Sequence, residues 1–190
     1  MSKDKVNLLA DLWEDSITVG AETAAKVPED AVMRQIQDGK SHPTWILGHM
    51  AFAAGFPVLA IALGKTPGVP VEWVPSFGPD FVGGQPPRSD QSSYPAWSEI
   101  IEAYKRSGAA VTSAIRELDD SDLDGGPKGT PPEGLEDRFQ HLGSVLKLFL
   151  RQQTVSVAIP GRKGCIDCDI AFQKLFKHSN TCLRRQVATL

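Results

Sequence analysis

The chain has 190 residues, of which 41% are hydrophobic, and its 20 basic and 23 acidic residues leave a net charge of −3. This length suits one domain with a substantial core and is short for two. The balanced charge, with no long run of one sign, argues against a nucleic-acid surface or an acidic tail. The polar N-terminus carries no secretory pattern, so we expect a cytoplasmic protein without a nucleic-acid or membrane partner.

The first segment predicts an amphipathic helix from Asp4 to about Lys26, ended near Pro28, because its apolar residues recur at steps of three and four. These residues are Val6, Leu9, Leu12, Trp13, Ile17 and Ala24. A short turn or helical piece is expected from Pro28 to Gln37, closed by Gly39.

A second helix is predicted from Pro43 to about Leu63, with Gly64 as its C-terminal cap. Proline fits the first turn of a helix, where its missing N–H has no partner to lose. The stretch approaches the length of a membrane span, but alanine and glycine dominate it and His49 interrupts it. A core helix is the favoured interpretation.

The segment from Lys65 to Pro95 is rich in proline, glycine and aromatic residues, and so many prolines exclude a helix or a central strand. A loop of this length is usually functional or packed by its own side chains. Trp73, Phe77 and Phe81 could supply that packing, so we expect an ordered cover. The alternative is a simple connection between two antiparallel helices.

Two further helices complete the pattern. One is predicted from Tyr94-Pro95 to about Leu118, and the other begins near Leu142-Gly143. The acidic cluster Asp119 to Asp122 lacks the EF-hand pattern and predicts a solvated turn. The predicted fold class is therefore all-α, a four-helix bundle with a long proline-rich loop between helices two and three.

The sequence resembles the DinB-like (damage-inducible) superfamily of bacterial four-helix-bundle proteins over about residues 6 to 150. The segment His42-Pro43-Thr44-Trp45-Ile46-Leu47-Gly48-His49 carries most of this resemblance. Trp73, Phe77-Gly78-Pro79, Tyr94-Pro95 and the start of helix four add to it.

The resemblance implies a divalent metal, nickel or zinc, held by one histidine on helix two and a His-x-x-x-His pair on helix four. Residues four apart share a helix face, so two imidazoles can meet one ion. By resemblance His49 takes the helix-two position, and the activity would be a thiol-dependent transferase or isomerase acting with a small thiol substrate. The expected pair falls near Gln153 and Val157, which breaks the pattern.

The end of the chain also departs from the family. Thr154 to Ile159 is a largely β-branched run closed by Pro160, which is poor helix material. We therefore divide the chain into a helical domain, residues 1–150, and a divergent segment, residues 151–190, for which a reading-frame change is one explanation. That segment holds all three cysteines, and Cys165 and Cys168 with Cys182 and His178 make a weak metal or redox pattern.

Other candidate ligands are weaker. His42 is interpreted as a helix-entry residue, and His141 lies too early on helix four to face a metal position. Glu22, Glu72 and Asp80 could complete a site, but no spacing selects them.

Three functions remain open from the sequence. The first is a DinB-like protein of unestablished activity with a degenerate metal site. The second is a metal-dependent transferase or a hydrolase-like metalloenzyme. The third is a non-catalytic module that forms a homodimer through apolar faces left open by the altered fourth helix.

Overall fold

A computed structural model describes residues 2–35, 41–79 and 83–156. Over these ranges the protein is helical, with no strand, which confirms the predicted all-α class. The α-helices are α1 (Asp4–Ala25), α2 (Pro43–Ala53), the single turn α3 (Val74–Phe77), α4 (Trp97–Arg116) and α5 (Leu142–Ser156). The starts of the four long helices and the ends of α1 and α4 lie close to the predicted ones.

The four long helices bury one shared core. Helices α1 and α2 each pack against both α4 and α5. Helices α1 and α4 run antiparallel, since Gly20 lies against the Tyr104 ring and Gly108 against Ile17 further along the pair. Glycine at these points lets the two backbones approach closely. The largest fully buried side chains belong to Trp13, Tyr104, Phe77, Met50 and Leu59.

Helix α2 changes its hydrogen-bond pattern halfway. After Ala53 it continues as a π-helix over Ala54–Ala62, with Pro57 inside. Proline has no N–H to donate to the preceding turn, so it disrupts the regular α pattern. π-Helical segments in α-helices are rare and are often found at functional sites. The sequence predicts one uninterrupted helix from Pro43 to about Leu63, and the π-helical half departs from that prediction.

The C-terminal end of the π-helix is closed as the sequence predicts. Gly64 has a φ of 62°, which confirms its capping role, and the Lys65 N–H donates to the Leu59 carbonyl at 2.8 Å. The N–H groups of Lys128 and Gly129 satisfy the carbonyls of Ala62 and Ile61, each at 2.9 Å. The backbone groups at the end of this helix therefore have partners.

Within the described ranges one helical stretch, Pro43–Ala62, is long and apolar enough to cross a membrane. In its most apolar window, 72% is buried inside the protein. Core helices of this kind meet the same criteria as membrane spans, so length and composition do not separate the two.

The proline-rich segment contains short helical structure that the sequence analysis had excluded. A 3₁₀ turn, Val71–Trp73, leads directly into α3. The prolines do not prevent this, because Pro75 occupies the first turn of α3, where no N–H is needed. Trp73 and Phe77 are buried, which confirms the predicted ordered cover for these two residues; Phe81 lies outside the described residues.

Three smaller predictions also have outcomes. The acidic cluster forms a 3₁₀ turn, Asp120–Asp124, whose Asp119 and Asp122 side chains make a capping box. The helical piece after Pro28 is a 3₁₀ turn that ends at Ala31, shorter than expected; residues 36–40 lie outside the described ranges. Helix α5 continues to Ser156 and so passes the predicted break at residue 151.

Candidate functional site

His49 lies on the inner face of α2, with its side chain only 5% exposed. Trp45, one turn earlier on the same face, stacks on the imidazole with ring centroids 4.7 Å apart and planes within 6°. The stacked indole of Trp45 therefore restricts the orientation of the imidazole plane.

Both ring nitrogens of His49 are hydrogen-bonded. The Phe77 carbonyl lies 2.6 Å from Nδ1 and can only accept, so Nδ1 carries the proton and donates. The amide nitrogen of Gln152 lies 3.1 Å from Nε2 and donates to it. In the tautomer that fits these two contacts, Nδ1 carries the hydrogen and Nε2 is the acceptor.

Gly48 explains how the Phe77 carbonyl reaches the histidine. The Phe77 ring lies where a side chain at position 48 would begin, in direct contact with α2. The same ring packs against Trp73 and Tyr94, with centroid distances of 5.1 and 5.5 Å. A glycine beside the histidine thus lets α3 dock on α2 and places its last carbonyl on Nδ1.

A cavity of about 210 Å³ adjoins His49. Its wall is mostly apolar, with the aromatic rings of Phe52, Phe56, Phe139 and Phe149 among aliphatic and proline side chains. The π-helix contributes Phe56, Pro57 and Ile61 to it. Ligand sites commonly combine such apolar walls with a few polar groups.

Among the residues that the structure describes, two with ionisable side chains line this cavity, His49 and Arg138. Arg138 belongs to a 3₁₀ turn, Glu136–Phe139, just before α5. Its side chain is half-buried, and burial lowers the pKa of its guanidinium. The sequence analysis did not single out Arg138, because nothing in its local pattern indicates that it faces a cavity.

The described residues do not fit the three-histidine metal centre that the resemblance implies. Such a centre needs two imidazoles facing His49, whereas the group facing Nε2 is the Gln152 amide nitrogen, which is not a metal ligand. No group of three or more His, Cys, Asp or Glu side chains comes together within residues 2–35, 41–79 and 83–156.

The α5 residue that meets His49 is one position earlier than expected. The sequence analysis expected Gln153 at the second ligand position, but the side chain of Gln153 is fully buried and donates to the Met50 carbonyl at 3.1 Å. A shift of one residue turns a helical side chain by about 100°. Val157, the other expected position, lies outside the described residues.

His42 has the helix-entry role predicted for it. Its Nδ1 accepts from the Trp45 N–H at 3.2 Å and so caps α2, while Nε2–H donates to the Arg88 carbonyl at 2.9 Å. Tyr94 packs edge-on against the ring at 5.1 Å. Burial lowers the pKa of His42, and its hydrogen bond to the Arg88 backbone opposes this only in part.

The remaining candidates do not join the site. His141, Glu22 and Glu72 are all exposed, and His141 Nδ1 lies 3.4 Å from the Asp124 carbonyl. Asp80, His178 and the three cysteines lie outside the described residues.

Comparison with known proteins supports the resemblance noted from the sequence. Searches of curated proteins and of solved structures found no match. A sequence profile of the DinB superfamily matches residues 14–151. This range contains His49 and covers all four long helices in whole or in part, and it ends one residue before Gln152. The chain belongs to the DinB superfamily.

Proposed function

We propose that this DinB-superfamily protein binds a small, largely apolar molecule in the cavity beside His49. In this proposal the metal position of the family is replaced by the hydrogen-bonded pair of His49 and Gln152. The observation that carries the proposal is the apolar cavity of about 210 Å³ with the hydrogen-bonded imidazole of His49 in its wall. A dry apolar cavity of about 150 Å³ is large enough for benzene, so one aromatic ring with a short substituent is the expected size.

The cavity can be tested by filling it. Toluene and 3-phenylpropanol are suitable neutral probes, with binding followed by ligand-observed NMR. Ala53 is buried and lines the cavity, so Ala53→Met should abolish binding while the helical circular dichroism is kept. Ala25→Met, at an exposed position near the end of α1, is the matched control and should bind as the wild type does. Equal binding by both variants would refute the proposal.

The competing function is the metal-dependent transferase predicted from the family. It requires that residues outside the described ranges supply the other ligands of a metal ion bound to His49. It predicts one nickel or zinc per chain, which is lost in His49→Ala. Our proposal predicts substoichiometric metal in the purified protein by elemental analysis. A full equivalent of His49-dependent metal would overturn it.

A gain-of-site variant sharpens this test. Leu148 and Gln152 lie one turn apart on α5, Leu148 lining the cavity and Gln152 bonded to His49. The double variant Leu148→His with Gln152→His places two imidazoles on that face, as a three-histidine site requires. We expect it to bind zinc in a His49-dependent manner where the wild type does not, measured by competition with a chromogenic chelator.

A further inference from the structure

We propose that the outer face of α1 binds a second copy of this chain, with the two α1 helices packed antiparallel about a two-fold axis. This surface is independent of the cavity beside His49, and it is not the fourth-helix face from which the sequence predicts a homodimer. Three observations carry the proposal: apolar side chains exposed on one face of α1, their spacing along the helix, and the charges that flank them.

The exposed apolar side chains of the protein are concentrated on α1. Leu8, Leu12 and Val19 are 61, 47 and 53% exposed. Within the described ranges two other large hydrophobic side chains are exposed in this way, Val71 and Leu148, and they lie on different elements. Single exposed apolar residues are ordinary, whereas a group of them on one face marks an interaction surface.

The spacing of this face is that of a helix that packs against another helix. Its residues follow one another at alternating steps of three and four, the spacing of the a and d positions in a coiled coil. We call them the α1 stripe, and all six are exposed: Lys5, Leu8, Leu12, Asp15, Val19 and Glu22. Trp13 and Ile17, on the opposite face of α1, are buried in the core. The stripe therefore points away from the bundle, where another molecule can reach it.

The charges of the α1 stripe favour a second copy in the antiparallel orientation. In a parallel pair each residue would face its own counterpart, so Lys5 would meet Lys5, Asp15 would meet Asp15 and Glu22 would meet Glu22. Like charges placed opposite each other are unfavourable. In an antiparallel pair Lys5 of one copy faces Glu22 of the other, because these two residues are equally far from the midpoint of the stripe. The two-fold axis repeats this opposite-charge pair at both ends of the contact.

The middle of the same antiparallel register is largely apolar. Leu8 of one copy faces Val19 of the other, again twice, and Leu12 faces Asp15. Burial of the apolar side chains favours association, whereas the partly desolvated carboxylate of Asp15 opposes it. The contact uses one helix from each copy, so the buried area lies at the low end for specific complexes. We therefore expect a reversible dimer with a dissociation constant on the order of micromolar.

The first test places a charge in the stripe. Sedimentation velocity of the full chain over a concentration series measures dimerisation. Val19→Glu buries a carboxylate against Leu8 of the other copy and should weaken the dimer by about tenfold or more. Val71→Glu is the matched control, because it makes the same change at a valine that is 62% exposed on another element. This control should dimerise as the wild type does, and thermal unfolding of both variants shows that they are folded.

The second test reverses the charges at the ends of the stripe. Lys5→Glu and Glu22→Lys each turn two attractive pairs into repulsive ones and should each weaken the dimer by about fivefold. The double variant restores opposite charges across an antiparallel interface and should dimerise as the wild type does. In a parallel pair the double variant would still set like charges against each other, so its recovery is specific to the antiparallel arrangement.

Three results would overturn the inference. The first is a wild type that stays monomeric at every concentration, whether the α1 stripe is then covered by residues 157–190 or stays in water. The second is a dimer that Val19→Glu does not weaken, or that Val71→Glu weakens equally, since either result assigns the contact to another face. The third is a double charge variant that dimerises no better than the two single variants. None of these results bears on ligand binding beside His49.

Discussion

Helix α2 has one buried histidine at its N-terminal cap, His42, and another within the helix, His49, and the two have different roles. His42 and His49 lie about two turns apart, and each ring has both nitrogens hydrogen-bonded. His42 bonds to backbone groups, among them the Trp45 N–H and the Arg88 carbonyl. His49 bonds to one carbonyl and to the side chain of Gln152 beside a cavity. Burial and hydrogen bonding alone therefore do not distinguish the two histidines; the cavity beside His49 does.

The largest expected effect comes from Phe77, which links the surroundings of the two histidines: its ring contacts Gly48 beside His49, and it packs on Tyr94, which packs against His42. Phe77→Ala removes a fully buried ring and should cost about 3–5 kcal/mol of unfolding free energy. Urea denaturation measures this loss. Phe56→Ala, at a partly exposed aromatic residue of the cavity, is the control and should cost clearly less. Equal losses of unfolding free energy would mean that Phe77 does not hold the surroundings of the two histidines together.

Gly48→Ala should give the next largest effect. The added methyl group would overlap the Phe77 ring, and overpacking of this kind costs about 1–3 kcal/mol. Alanine is the better helix former, so the loss should vanish or reverse once the ring is absent. Unfolding of the double variant Gly48→Ala with Phe77→Ala tests this coupling. Additive losses would contradict the close contact of ring and glycine.

His42→Ala should destabilise the protein by about 1–2 kcal/mol, because it removes the cap of α2 and leaves the Arg88 carbonyl without its donor. His42→Asn keeps a capping acceptor and should recover part of the loss. Neither variant should change ligand binding at temperatures where it is fully folded, so the cap of the helix and the cavity beside His49 are tested separately. A loss of binding equal to that in Ala53→Met would contradict this separation.

The smallest expected effect is a pH dependence of stability. The pKa of His42 is lowered by burial from its usual value of 6.5, so the unfolded chain binds a proton before the folded protein does. The stabilising contribution is complete above pH 6.5 and is lost as the pH falls below it towards the folded-state pKa. The free energy of unfolding measured between pH 8 and 5 should show this loss. In His42→Asn the corresponding part of the slope should be absent, and an unchanged slope would assign it to other groups.

The sequence predicts the ends and the cap of the helix that carries His49 well, because the signals for them are local. Pro43 marks the start of α2, Gly64 marks its end, and His42 stands where a cap is needed. Each of these roles depends on neighbours within one turn of the chain. The family resemblance was likewise carried by residues adjacent in sequence, Trp45 to His49, and it is confirmed by the superfamily match.

The hydrogen-bond partners of His49 could not be predicted from local sequence signals. The Phe77 carbonyl is a backbone group 28 residues from His49 in the sequence. Its position depends on α3, a helical turn that the proline-rich composition had excluded. Choosing Gln152 over Gln153 requires the rotation of α5, which counting from the helix start does not fix to one residue. The cytoplasmic location, the homodimer and the small thiol substrate stay predictions.

The π-helical half of α2 gives this core helix an unusual tolerance to a change in chain length. A π-helix holds more residues per turn than an α-helix, so it has the geometry of an α-helix into which residues have been inserted. Deleting one residue between Ala54 and Ala62 would remove part of that surplus, with the turn that carries His49 untouched. The same deletion would turn Phe56, Pro57 and Ile61 relative to the cavity, so the length of this segment sets the shape of the pocket independently of its polar groups.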